Sequence, residues 1–214
     1  MRGEDLAAAE AIDAAWRRFP DDAQVVSVAR RLAFRMATQA LRNNDMDEVV
    51  RWSYRAAEYE PRDWRPHYQI GRALERSDRL DEAEHAYRRS LDRRRQPRVE
   101  LALADLLVKQ SRFSLAVPLY ESVLSSEGRS ADVLVGYGTA LWQMGRGRDA
   151  LLAFEEALMR SPGDATARQM VQRLRRERRI EEQYDIHHQG SFTTSFERSP
   201  EQWEVKNKLL RVLQ

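Results

Sequence analysis

Apolar and polar positions along the first 165 residues of this chain recur with a period of about 34 residues. Four polar turns, at residues 44–47, 78–81, 111–114 and 145–148, each lead into a new apolar stripe. The stripes begin at Val49, Ala83, Ala116 and Ala150, which are 34, 33 and 34 residues apart. In the last three copies an aromatic residue follows four positions later. Another apolar or small residue follows three positions after that, so each stripe occupies one face of a helix.

A second helix is predicted upstream of each turn, with its own small residue inside the apolar face. Small residues let a neighbouring helix approach closely, and the aromatic residues fill the remaining space. Prolines at positions 20, 61 and 162 follow the second helix of a unit, where they end it without breaking interior hydrogen bonds. The pattern therefore predicts repeated helix–turn–helix units. The predicted packing residues are Ala37, Gly71, Ala83, Tyr87, Ala104, Ala116, Tyr120, Gly138, Ala150, Phe154 and Ala157.

These units resemble the tetratricopeptide repeat (TPR), whose signature is W-x2-L-G-x2-Y…A-x3-F-x2-A…P. The best copies are His67-x2-Ile70-Gly71-x2-Leu74…Ala83-x3-Tyr87-x2-Ser90 and Leu134-x2-Tyr137-Gly138-x2-Leu141…Ala150-x3-Phe154-x2-Ala157…Pro162. Ala33, Val49, Ser53 and Glu100 depart from the signature. The resemblance covers about residues 5–180 and implies an all-α, right-handed superhelical solenoid. An arginine excess over lysine, as here, is typical of bacterial coding sequences, so we expect a bacterial TPR protein.

The predicted array spans residues 4–184, with a leading helix at 4–18, four repeats at 22–163 and a closing helix at 165–184. A tail at residues 185–214 breaks the period. Its residues 191–197 favour a strand, and Ser199 and Pro200 begin a predicted helix. The tail either folds back on the array or begins a further domain. It faintly resembles the opening of peptidase-like domains that follow TPR arrays. Its apolar stripe also makes it a candidate homo-oligomer contact.

The resemblance further implies that the first helix of each repeat lines a concave groove for a peptide or helix of a partner. Tyr68 and Trp142 occupy groove positions where neither has a predicted core role, and basic residues outnumber acidic ones. Arginine and aromatic residues are enriched in interface hot spots. We therefore predict a partner with an acidic or amphipathic segment. The predicted groove residues are Phe34, Arg65, Tyr68, Arg72, Arg76, Arg98, Leu101, Lys109 and Trp142.

The positions that clamp a carboxylate terminus in some TPR proteins hold Tyr68, Arg72 and Leu101 here, with no asparagine. A chaperone-tail clamp is therefore not predicted. The chain contains no cysteine, and its four histidines do not stand at metal-ligand spacings. No nucleophile, base and orienting group can be assembled into one site. The sequence predicts a protein–protein interaction scaffold without catalysis, metal or cofactor.

Composition adds one alternative function. A third of the residues are charged, yet the 33 arginines and three lysines nearly balance the acids, for a net charge of +2. Binding to RNA or DNA would therefore depend on local clusters, of which the arginine-rich segment 168–179 is the densest. Apolar runs stay far below the roughly 20 residues of a membrane span. We expect a cytoplasmic protein for which nucleic acid is the less favoured partner.

Overall fold

The computed structural model describes the backbone of residues 2–189 and the side chains of residues 7–180. All regular structure in this part of the chain is helical. The ten helices are α1 Arg2–Arg18, α2 Ala23–Arg42, α3 Met46–Tyr59, α4 Arg65–Arg76, α5 Leu80–Arg93, α6 Pro97–Lys109, α7 Phe113–Ser126, α8 Ala131–Gln143, α9 Gly147–Arg160 and α10 Ala165–Gln189. The predicted strand at 191–197 and the helix after Pro200 lie outside the described residues. Helix α10 continues past residue 184, into the segment predicted as the tail.

Helices α2 to α9 form four consecutive pairs, each joined by a three-residue turn. The second helix of one pair also contacts the first helix of the next, at α3–α4, α5–α6 and α7–α8. Every helix of these pairs therefore packs against its neighbours in sequence, as expected for a repeat array. The chain divides into two compact units at Val171, and all four pairs belong to the first, Met1–Val171.

The turn inside each pair has the same backbone geometry. Asn44, Asp78, Ser111 and Gly145 all have positive φ, between 56° and 76°. In the third turn, the N–H of Arg112 donates to the carbonyl of Leu107, and that of Ser111 donates to Val108. The same two bonds recur in the other three turns. This is the Schellman motif, in which a left-handed residue lets the carbonyls at a helix end find donors.

The core lies between the paired helices, where glycine and alanine face aromatic rings. All eleven packing residues predicted from the repeat are buried. A Cβ placed on Gly71 would lie 2.5 Å from the ring of Tyr87, and one on Gly138 would lie 3.1 Å from Phe154. The small residues and the rings therefore occupy complementary volumes.

The first pair is longer than the others and packs against α1. Helix α2 has 20 residues, whereas α4, α6 and α8 have 12 or 13. Its early residues help to form a cluster with α1 and α3 that includes Ala29, Trp52 and Tyr59. Trp16 of α1 packs edge-on against Tyr59 with ring centroids 5.2 Å apart. Asp13 of α1 accepts a hydrogen bond from the Tyr59 hydroxyl and pairs with Arg55. These contacts hold α1 on the first pair.

Candidate partner-binding cavity

One cavity of about 510 Å³ opens on the surface shared by the first helices of the first three pairs. Helices α2 and α4 supply most of its wall, and α3, α6 and the turn before α4 supply the rest. We call it the arginine–aromatic cavity. Its lining residues are Phe34, Ala37, Thr38, Leu41, Val49, Trp64, Arg65, Tyr68, Gln69, Arg72, Ala73, Arg76 and Arg98.

Six of the nine predicted groove residues line this cavity, namely Phe34, Arg65, Tyr68, Arg72, Arg76 and Arg98. Leu101, Lys109 and Trp142 are not among its lining residues. The spacing of α2, α4 and α6 in the repeat brings the six together, because equivalent positions of successive first helices face the same side.

Two aromatic residues that line the cavity, Trp64 and Tyr68, pack in a row with the core residue Tyr87. The ring of Tyr68 lies between those of Trp64 and Tyr87, with both centroid distances at 6.0 Å. Tyr68 is half-buried and packs on the core residue Tyr87. The Tyr68 ring therefore packs on a core residue while it also lines the cavity. Tyr87 is fully buried, so it gives the Tyr68 ring a fixed surface to pack on.

Arg65 is committed to a contact within the protein. Its guanidinium binds both carboxylate oxygens of Asp63 at 2.8 to 3.0 Å, and its backbone N–H donates to the same carboxylate. These hydrogen bonds raise the pKa of Arg65 above its ordinary value. The guanidinium lies 5.6 Å from the centroid of the Phe34 ring. Asp63 is buried, so Arg65 is neutralised locally and fixed against an aromatic side chain.

The other three arginines of the cavity have no carboxylate partner within residues 7–180. Arg72 places its guanidinium 6.0 Å from the centroid of the Tyr68 ring. Arg76 follows one helical turn later, and Arg98 lies in the first turn of α6. All three side chains are exposed, and none of the thirteen lining residues is acidic. The cavity therefore combines cationic arginine side chains with apolar aromatic rings.

Charged residues at the neighbouring groove positions are engaged by contacts within a helix pair or between pairs. Lys109 pairs with Glu75, which also accepts a hydrogen bond from the Tyr87 hydroxyl at 2.8 Å. In the next pair, the Tyr120 hydroxyl donates to Asp105 at 2.6 Å. Burial is the main factor that raises the pKa of Tyr87 and of Tyr120, and the neighbouring carboxylates add to it. Both phenols therefore stay protonated and act as donors.

The arginine-rich segment 168–179 is partly engaged within the chain. Arg168 donates to the backbone carbonyl of Pro162 at 2.7 Å, and Arg173 pairs with Glu177 at 2.9 Å. In the part of the chain whose side chains are described, no group of three or more histidine, aspartate or glutamate residues could hold a metal ion. Among the described helices, none is long and apolar enough to cross a membrane.

Two contributors to the cavity were not predicted from the sequence. Trp64 lies in the turn before α4, outside the first-helix positions that the repeat pattern identifies. Asp63 does not line the cavity but binds the guanidinium of Arg65 with its carboxylate. The two residues are separated by one position in the sequence. The Asp-x-Arg spacing at the start of a helix was the available signal for this pair.

Comparisons with known proteins agree with this architecture. Tetratricopeptide-repeat family models match residues 65–97 and 101–168. No curated protein matches the sequence. The described fold is similar to a solved structure of MamA from Desulfovibrio magneticus RS-1, with 20% identity, a TM-score of 0.66 and coverage of 86% of this chain and 96% of that one.

Two other solved structures show the same fold. YrrB, described as a TPR protein with an unusual peptide-binding site, has 19% identity, a TM-score of 0.63 and coverage of 78% of this chain and 82% of its own. PilF from Pseudomonas aeruginosa has 18% identity, a TM-score of 0.61 and 79% coverage of both chains. With the helix pairs, the repeated turns and the matched segments together, this chain belongs to the tetratricopeptide-repeat family.

Proposed function

We propose that this protein is an interaction scaffold that binds an acidic, amphipathic segment of another protein in the arginine–aromatic cavity. One observation carries the proposal. The cavity combines aromatic rings with three arginines that pair with no carboxylate in residues 7–180, and it has no acidic lining residue. The matched family and the peptide-binding site named for YrrB support binding to a protein segment.

Both the aromatic rings and the arginines of the cavity gain favourable interactions when an acidic, amphipathic segment covers them. Burying apolar surface against Phe34, Trp64 and Tyr68 is favourable by roughly 25 cal/mol per Å². Carboxylates of the partner would meet arginines that bind no carboxylate in the free protein, so no existing ion pair among the described residues must break. A basic segment would bring like charges together, which costs several kcal/mol. The cavity therefore selects for acidic segments with large apolar side chains.

The test uses two synthetic helix-forming peptides with the same apolar residues. One carries glutamate at its polar positions, and the other carries lysine. Each is labelled with fluorescein, and its binding is followed by fluorescence anisotropy at about 50 and 200 mM salt. We expect the glutamate peptide to bind and its affinity to fall at the higher salt, while the lysine peptide stays unbound. Equal binding of the two peptides would contradict the proposal.

The variant Arg72→Glu with Arg76→Glu locates the site. We expect it to weaken binding of the glutamate peptide at least about 10-fold, because each like-charge contact in an interface costs more than about 1.4 kcal/mol. The melting temperature should stay nearly unchanged, because exposed charges contribute only about 0–1 kcal/mol to folding.

The matched control is Arg62→Glu with Arg148→Glu. Both arginines are exposed, have no ion pair among the described residues, and lie outside the cavity. The control changes the net charge equally and should keep the affinity. If both double variants lose the same affinity, binding follows overall charge and not the cavity. A mobility shift with RNA that survives Arg72→Glu and Arg76→Glu would favour the nucleic-acid alternative.

A further inference from the structure

Three guanidinium groups line one cavity without a counter-ion in the described part of the chain, whereas many other cations of this array have one. Arg30, Arg55, Arg95, Arg112 and Arg129 each pair with a carboxylate from a different helix or turn. On the adjoining surface Lys109 is neutralised by Glu75. Within residues 7–180, no carboxylate does this for Arg72, Arg76 or Arg98. The cavity therefore offers about three positive charges to whatever enters it.

A single dianionic group satisfies such a cluster better than a carboxylate does. A phosphoryl group on a side chain carries a charge of about −1.5 to −2 at pH 7 and has three strong acceptor oxygens. A carboxylate carries one charge and two oxygens. Several arginines can therefore bind one phosphoryl group at a single point, and arginine is favoured at phosphate sites because its planar fork donates two parallel hydrogen bonds.

The aromatic rings of the cavity indicate what should carry the phosphoryl group. Phe34, Trp64 and Tyr68 line the same space as the arginines. A short aliphatic stem such as that of serine would leave these rings without contact, whereas a phenyl ring would pack on them. The volume of about 510 Å³ accommodates a phenyl ring together with its phosphoryl group.

Arg72 shows how the arginines and the aromatic rings of the cavity work together. Its guanidinium lies over the face of Tyr68, with 6.0 Å from Cζ to the ring centroid. A guanidinium in cation–π contact with a ring keeps N–H groups that can donate to an anion. Arg76 lies one helical turn away on α4, and Arg98 comes from α6, so two helices contribute donors around one space.

We propose that the arginine–aromatic cavity recognises an aromatic side chain carrying a phosphoryl group, as in a segment phosphorylated on tyrosine. The inference rests on the proposed function, since it specifies which acidic segment the cavity binds. Phosphorylation of the partner would then control its association with this protein. An unphosphorylated acidic segment would bind the same cavity more weakly.

The test measures three small probes on the full chain: phenyl phosphate, phenylacetate and inorganic phosphate. Binding is followed by amide and arginine side-chain chemical shifts in NMR titrations at constant ionic strength. We expect phenyl phosphate to bind at one site and at least about 10-fold more tightly than either other probe. Phenyl phosphate should also displace the labelled glutamate peptide.

Variants assign the contributions of the arginines and of the aromatic rings. Arg72→Gln and Arg98→Gln should each weaken the affinity for phenyl phosphate about 10-fold and the affinity for phenylacetate much less. The reason is that the dianionic phosphoryl group loses a cationic hydrogen-bond donor. The matched control Arg148→Gln, an exposed arginine outside the cavity, should leave both affinities unchanged. Tyr68→Leu should weaken phenyl phosphate and leave inorganic phosphate unaffected.

The inference is overturned if phenyl phosphate and phenylacetate bind equally, if phenyl phosphate does not bind, or if Arg148→Gln weakens it as much as Arg98→Gln does. These outcomes are distinct from a failure of the proposed function. A glutamate peptide that binds and depends on Arg72 and Arg76, with no preference for phenyl phosphate, would leave the scaffold function standing and remove the phosphoryl specificity alone.

Discussion

At the scale of single residues, Gly71 packs more closely against a neighbouring ring, that of Tyr87, than any other described glycine does. A Cβ on Gly71 would lie 2.5 Å from two atoms of the Tyr87 ring, which is itself fully buried. The ring has little room to move, because its hydroxyl donates to Glu75 and its face packs on Tyr68. The absence of a side chain at position 71 is therefore a packing requirement.

We expect Gly71→Leu to lower the free energy of unfolding by at least about 2 kcal/mol, since overpacking a filled core forces side chains and backbone apart. The measurement is urea denaturation followed by circular dichroism. Gly163→Leu is the matched control. A Cβ added to Gly163 would meet no described atom within 4 Å, and the residue has no positive φ. Its change should stay within about 0.5 kcal/mol. Equal effects of the two substitutions would refute the packing account.

His67 is a second residue whose environment has a measurable consequence. It is buried at the start of α4, and its Nδ1 has no hydrogen-bond partner among the described residues. Burial lowers the pKa of His67, and the nearby Arg93 and Arg89 lower it further, while Asp63 acts in the opposite direction. The neutral imidazole is therefore favoured in the folded protein.

Stability should consequently fall as the pH drops below about 6.5, the ordinary pKa of histidine. In that range the unfolded chain takes up a proton at His67, and the folded chain does not until its own lower pKa is reached. The loss is at most about 1.4 kcal/mol per pH unit for one proton. Urea midpoints at pH 7.5 and 5.5 measure it. His67→Gln should reduce the difference, and His85→Gln, at an exposed position, should leave it intact.

At the scale of the elements, the repeated turn depends on a left-handed residue, and only the fourth turn uses glycine for it. Asn44 and Asp78 are residue types that tolerate positive φ, whereas Ser111, with φ of 59°, is less suited to it. The backbone bonds of the turn are the same in all four copies. The motif is thus maintained by its hydrogen bonds and by helix packing, even where the residue type opposes it.

Ser111→Gly should therefore stabilise the protein by about 0.5–1 kcal/mol, because glycine adopts positive φ without a steric penalty. The same substitution inside a helix should have the opposite sign. Ser27→Gly, in the interior of α2, should destabilise by about 0.5–1 kcal/mol. Thermal and urea unfolding of both variants measure the difference. A destabilised Ser111→Gly would show that the serine side chain contributes more than its backbone geometry costs.

Glu100 shows how one element can replace the signature residue of a repeat. It is buried at 3% exposure, where the signature has a tryptophan. Arg95 binds its Oε1 at 2.5 Å, and the Ser122 hydroxyl donates to its Oε2 at 2.7 Å. The departure noted in the sequence is thus compensated by an ion pair and a hydrogen bond. These contacts tie the turn before α6 and the helix α7 to the same side chain.

At the scale of the whole array, consecutive helices from α1 to α9 contact each other, so stability should be local. Phe154→Ala removes a fully buried ring from the fourth pair and should cost about 3–5 kcal/mol there. We expect hydrogen exchange to accelerate more in α8 and α9 than in α2 and α3. Trp52→Ala, in the first pair, should reverse this order. Uniform acceleration in both variants would instead indicate one cooperative unit.

The amino-acid sequence by itself determined the helix pairs, their turns and the residues that pack them. These features follow from the periodicity within each helix and from contacts with the next helix along the chain. Both can be deduced from a sequence that repeats every 34 residues. Gly71, Tyr87, Gly138 and Phe154 were identified in this way. Six of the lining residues of the cavity were predicted through the resemblance to the repeat family, in which fixed positions of each first helix face the groove.

The tertiary structure alone decided which charges remain available. Lys109 was predicted as a groove residue in the same way as the cavity arginines. The structure nevertheless pairs it with Glu75, which lies 34 residues earlier in the sequence. Arg72, Arg76 and Arg98, in contrast, meet no carboxylate among the described residues. Periodicity reports which face of a helix is apolar. Charge pairing depends on which flexible side chains from different repeats meet in space, and no spacing within one helix contains that information.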